Sequence, residues 1–165
     1  MKSKTLIYVL LAFVGITASS CKKDQPDVEV SPVYPMSGEW YVKVYNADNT
    51  LARATYTTLS TYNTSANSNS EIWMKMLSGT VNYGLLGKVA VDVNAKTISG
   101  TNATNIAFTP NLKFSILEGK VLLNATTLKS KVVADSIYVK YTTEKDGKTY
   151  ILSGHRRSQY EIDQY

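Results

Sequence analysis

Residues 38–156 form a succession of short runs in which apolar and polar side chains alternate, separated by turn residues. A period of two puts every second side chain on the same side of a strand, so each run has one face to bury. Residues 39–45 set Trp40, Val42 and Val44 against Tyr41, Lys43 and Tyr45. Residues 52–62 are dense in Thr and Tyr, which suit a pleated, half-buried surface. Residues 71–77 and 87–93 follow, the second with Val89, Val91 and Val93 on one side. After a turn at Asn94-Ala95-Lys96, residues 97–100 begin a return strand and residues 101–110 read mostly as loop. Residues 112–117 and 120–125 flank Glu118-Gly119, a hairpin signal, and residues 132–143 and 149–156 flank Asp146-Gly147, another. No segment carries a helical period. About eight antiparallel strands at short spacing predict an all-β domain, an up-and-down barrel or a sandwich. Twelve tyrosines against three phenylalanines suggest half-wet faces, since a tyrosine keeps its hydroxyl hydrated.

The chain before this domain reads differently. Lys2 and Lys4 precede an uncharged, mostly apolar stretch over residues 5–18, then Ala18, Ser19, Ser20 and Cys21. This is the layout of a secretory signal peptide, and the stretch is short of the ~20 residues a membrane-spanning helix needs. Cys21 is the single cysteine, so no intrachain disulfide can form. A cysteine directly after small residues at the end of a signal resembles a bacterial lipobox, although Ala18 stands where leucine is commonest. Its thiol would carry a diacylglycerol. Residues 1–20 are then a lipoprotein signal, 21–37 a lipidated N-terminus and proline-bearing spacer, 38–158 the β-domain and 159–165 a polar tail. The expected location is the cell envelope, anchored by lipid to the outer membrane on its periplasmic face or at the cell surface. Removing Lys2 and Lys4 from the 18 basic residues leaves 16 against 13 acidic ones, a net of +3, too mild to suggest nucleic acid as a partner.

Gly38-Glu39-Trp40 opens the first strand and Arg156 ends the last. This pair resembles the closure of lipocalins and their calycin relatives, in which a G-x-W tryptophan sits at the closed barrel end under an arginine from the final strand. Alternation puts Arg157 on the opposite face, which favours Arg156 if the run is regular. Further segments, G-E-W-Y-V at 38–42, T-Y-N-T-S-A-N-S at 61–68, E-I-W at 71–73, D-S-I-Y at 135–138 and S-G-H-R-R at 153–157, resemble a family of bacterial lipoproteins described as "lipid-binding putative hydrolase". The resemblance implies a single antiparallel eight-stranded calycin-like barrel and a lipid or other apolar small ligand.

An eight-stranded barrel is just wide enough to hold one small ligand. Facing inward with Trp40 would be Val42 and Val44, and by parity with Arg156, Tyr150 and Leu152. Val89, Val91, Val93, Leu112, Phe114 and Ile116 are inward candidates from the middle strands, and Trp73 is a candidate for the mouth, close to the Asn-rich loop. Each of these also suits plain core packing. Hydrolysis would have to use His155, the single histidine, with Ser153 two residues before it. There is no G-x-S-x-G elbow, and the adjacent arginines disfavour the imidazolium that a general base must become. A weak esterase therefore stands behind a second reading, a surface adhesion or glycan-binding accessory protein that stacks exposed Tyr and Trp on sugars. One histidine and no free thiol leave metal binding without a ligand set, and no cofactor motif is present. The expected protein is a monomer.

Overall fold

The computed structural model describes residues 30–76 and 81–165; the signal segment, Cys21 and most of the spacer lie outside the described residues. Eight strands close into one antiparallel barrel in sequence order. They are β1 (Gly38–Asn46), β2 (Leu51–Asn63), β3 (Glu71–Met76), β4 (Leu85–Asp92), β5 (Thr97–Asn105), β6 (Leu112–Thr127), β7 (Val133–Thr143) and β8 (Thr149–Arg156). The ring is completed between β1 and β8, where Trp40 pairs with Arg156 and Asn46 with Tyr150. Closure leaves no free edge, and the alternation of β1 becomes a division between core and outside. Trp40, Val42 and Val44 pack inward with Leu59 of β2, Ile72 and Met74 of β3, Ile137 and Val139 of β7 and Leu152 of β8.

Two segments depart from the sequence reading. Residues 112–125 form no hairpin: β6 runs unbroken from Leu112 to Thr127, with a bulge between Ile116 and Glu118. Gly119 serves close packing instead of a turn, because a Cβ there would stand 2.6 Å from the Ile98 carbonyl oxygen and 2.7 Å from the Ile98 Cβ. Residues 101–105 belong to β5 and not to a loop. Their irregular register, with Asn102 at φ 52°, breaks the alternation that would have marked them.

The turns follow local chemistry. Asp48 accepts hydrogen bonds from the Thr50 amide and hydroxyl in the β1–β2 turn, and Gly147 takes a left-handed φ of 71° between β7 and β8. Both flanking segments dock. Val33 and Met36, at the end of the spacer, are fully buried against the barrel. Beyond β8, a short 3-10 turn at Glu161–Asp163 buries Asp163, which accepts from the Ser130 amide and hydroxyl and from the Ser158 hydroxyl.

Candidate functional site

One end of the barrel is sealed. The Trp40 indole is fully buried and its Nε1 donates to Thr61 Oγ1 at 2.9 Å; the Thr61 hydroxyl donates to the Met36 carbonyl at 2.7 Å. The Arg156 guanidinium lies over the Trp40 ring, its Cζ 4.3 Å from the centroid. It donates to the Ser37 and Pro35 carbonyls and pairs through Nε with Asp135 at 3.0 Å. The planar fork thus spends its donors on backbone while its face covers the indole. Gly38 is required beneath it, since a Cβ would collide with Arg156 Nη1. Arg157 faces outward and pairs with Glu39.

The middle of the barrel is filled by its own side chains. Val42, Val44 and Leu152 have no accessible surface, so none of them lines a void that a water molecule could enter. Val89, Val91, Phe114, Ile116 and Tyr150 also face in and are buried. Val93 and Leu112, at opposite ends, are half-buried.

Space appears at the other end. A cleft of about 530 Å³ is walled by Asn46, Leu51, Ala52, Val81, Asn82 and Tyr83, with Tyr150 beside them. Three tyrosines stopper the barrel here. The Tyr141 hydroxyl donates to the Tyr83 carbonyl at 2.6 Å, and the Tyr150 hydroxyl donates to Asp146 Oδ2 at 2.7 Å. Tyr83 and Tyr150 meet edge to face with centroids 5.6 Å apart. Burial, reinforced by the Asp146 carboxylate, pushes the Tyr150 hydroxyl up to about 12. Burial likewise raises Tyr141. Asn105, fully buried, pins the rim by donating to the Gly84 carbonyl and accepting from the Leu86 amide. Of these residues only Tyr150 stood out in the sequence. Tyr141 shares parity with Val139 and Ile137 and was legible in principle, whereas Tyr83 and Asn82 sit in a turn with no periodic signal.

The remaining candidates lie on the outer surface. Ser153 and His155 point outward from β8, Ser153 exposed and His155 buried under Tyr41, Tyr56 and Tyr165. Among the described residues no hydrogen bond joins them; His155 Nδ1 contacts the Arg156 carbonyl and its Nε2 has no partner. Trp73 also faces out, because its neighbours Ile72 and Met74 take the inward positions; it lies opposite Tyr62 with the Lys88 ammonium 5.4 Å from its ring. That places Trp73 on the wall of the barrel instead of its mouth. Among the described residues no three carboxylate, histidine or cysteine side chains cluster as metal ligands would.

Comparison with curated proteins found no significant match. A family profile, described as "lipid-binding putative hydrolase", matches residues 25–161, which span the whole barrel and its closure. With the closed eight-stranded barrel, the match over most of the chain settles its kinship: the chain belongs to the family described as "lipid-binding putative hydrolase".

Proposed function

We propose that the protein is a lipid-anchored binding protein that takes the apolar part of a lipid, or another small apolar molecule, at the open end of its barrel. The observation that carries this reading is the cleft beside Tyr150. Its volume lies within the ~300–1,000 Å³ of small-ligand sites. Its exposed surface is mostly polar, from Asn46, Asn82 and tyrosine, with Leu51, Ala52 and Val81 set among them. Below it the core turns to Met74 and Met76, whose unbranched side chains repack more readily than branched ones. A filled barrel can therefore admit an alkyl chain by moving those side chains, with the Trp40–Arg156 seal as a fixed floor. The lipid anchor at Cys21 would hold this barrel at the envelope surface, as the signal-like segment and the lipobox suggest.

The test is native mass spectrometry of the purified protein, with a dansylated fatty acid as probe. A co-purified lipid or saturable probe binding, weakened at least about tenfold by Ala52→Trp, is the expected result; tenfold corresponds to ~1.4 kcal/mol, a modest steric loss. Absence of both, with the barrel folded, overturns the reading.

A second reading has an observation of its own. Tyr62 and Trp73 face each other across β2 and β3 on the outer wall, a pair suited to stacking on a sugar ring. Glycan-array binding lost in Trp73→Ala would favour it over the cleft.

A further inference from the structure

The sealed end carries a feature that neither the seal nor the cleft uses. Beyond Leu122, β6 has no β5 partner among the described residues, and beyond Ser136 toward its start β7 has no β8 partner, so the β6–β7 hairpin overhangs the rim. Four large apolar side chains on it, Leu122, Leu123, Val132 and Val133, are 37–54% exposed, among exposed Asn124, Ala125 and Thr127. Ile162 joins them, 61% exposed, because the adjacent Asp163 is bonded to Ser130 in the hairpin turn. Tyr34 lies at the same end, its ring 6.0 Å from Arg156 Cζ. A single chain of bonds ties these pieces together: Asn124, next to Leu123, donates its amide to Asp135, which pairs with Arg156, which holds the carbonyl of Pro35, next to Tyr34.

Lone apolar side chains on a surface need no explanation, but a group of them on one projecting hairpin marks a contact surface. The charges around this one select the partner. Lys129 and Lys131 sit in the turn itself and are exposed, the Lys129 ammonium lying 4.3 Å from the centroid of the Tyr165 ring. The nearby acids Asp135 and Asp163 are taken up by Arg156 and by Ser130 and Ser158, and Arg157 is paired with Glu39; Glu161 is the exposed acid on the C-terminal side. Leucine and valine flanked by lysines, with a tyrosine at the edge, is the composition of a segment that settles into the headgroup region of an anionic bilayer. The chain outside the barrel points the same way. Val30 precedes the sealed end, and Cys21 stands nine residues earlier. Nine residues reach at most about 30 Å when fully extended. A lipid on Cys21 keeps Val30, at this end of the barrel, within that distance of the membrane.

We propose that the overhanging β6–β7 hairpin, with Ile162 and Tyr34 beside it, is a membrane-docking surface that seats the barrel sealed end down on an anionic bilayer. This rests on the lipid-anchor reading for its local concentration at the membrane; the tether supplies proximity and the hairpin supplies orientation. The cleft then opens away from the anchoring leaflet.

The experiment uses the full chain carrying its N-terminal lipid, in phosphatidylethanolamine–phosphatidylglycerol vesicles with brominated acyl chains. Leu123→Trp is made with Trp73→Phe, leaving buried Trp40 as an internal reference, and Leu51→Trp at the cleft end is the control. Leu123 is exposed, so the barrel tolerates the change. An interfacial segment sits ~5–10 Å into the acyl boundary, so the Trp at 123 is expected to lose at least about half its emission while that at 51 loses none. Lys129→Glu with Lys131→Glu should abolish the difference. Vesicle flotation reads the anchor separately. Protein that does not float overturns the anchor reading and this orientation with it. Protein that floats with Trp at 123 unquenched overturns the docking surface alone. Emission at 123 that is blue-shifted yet unquenched also overturns it, in favour of a second copy of the chain on the same patch.

Discussion

Arg156 joins four parts of the molecule: the indole of Trp40, the carbonyls of Pro35 and Ser37, and the carboxylate of Asp135. Removing its charge leaves Asp135, only 14% exposed, without a counter-ion. Breaking a buried pair costs roughly 3–5 kcal/mol, and Arg156 is 24% exposed, so Arg156→Gln should destabilise by about 3 kcal/mol in urea unfolding. Adding Asp135→Asn should recover part of that loss. No recovery would mean that the indole and carbonyl contacts carry the effect. At the other end, Tyr150 makes a prediction about alkali. Its hydroxyl is held at about 12 by burial and by Asp146, above the ordinary tyrosine value of 10.0. The folded state therefore keeps this proton more tightly than the unfolded chain does. The stability linked to it is complete below pH 10 and is lost as pH rises toward 12. Spectrophotometric titration should show tyrosine ionisation extending to the top of that window, and Tyr150→Phe should reduce the absorbance change there. Arg156 and Tyr150 were both legible in the sequence, one from the G-x-W pattern and the other from strand parity. Asp135 was not, because a lone carboxylate on a strand carries no mark of the cation that it will meet.

Among the elements, β6 shows best where reading the sequence succeeds and where it fails. Alternation placed Phe114 and Ile116 on its inner face, and both are there. The Glu118-Gly119 pair resembled a turn because glycine has two uses that a sequence does not separate, a turn and a close approach of backbones. Here it is the second, and Gly119→Ala should cost roughly 1–3 kcal/mol by driving a methyl into Ile98, with no change in strand content by circular dichroism. Misread loops have a similar origin: residues 101–105 are a strand whose bulges erase its period, while residues 33–36 and 161–163 are too short to show a period and dock through Val33, Met36 and Asp163. The last of these is testable by pH. Burial would raise the Asp163 carboxyl, but hydrogen bonds from Ser130 and Ser158 more than offset it and hold the value below the usual one. The C-terminal turn should stay docked at neutral pH and release as pH falls below the carboxylate range, and Asp163→Ala should release it at any pH. Faster hydrogen exchange at the Ser130 amide, with the barrel strands unchanged, is the expected sign.

For the molecule as a whole, closure by β1 and β8 separates two ends of different build. At the sealed end the Trp40–Arg156 cluster spends its polar groups on one another. At the open end the hydroxyls of Tyr141 and Tyr150 are engaged and the Asn46 side-chain amide donates to Thr50, while Asn82 and the rings beside it line a cleft. A ligand that binds only the folded barrel stabilises it by mass action, ~2.7 kcal/mol at a hundredfold excess over its Kd. If the ligand sits in the cleft, that stabilisation should come with slower hydrogen exchange in the β1–β2 turn, at Tyr83 and Leu85, and at the start of β8. Exchange around Trp40 and Arg156 should keep its rate under conditions that report local opening, because those bonds are already closed without ligand. A ligand that raises the melting temperature while protecting only β2 and β3 near Tyr62 and Trp73 would move the site to the outer wall. Protection spread evenly over all eight strands would instead report global unfolding and locate nothing, so the comparison belongs well below the melting temperature, where local openings dominate exchange.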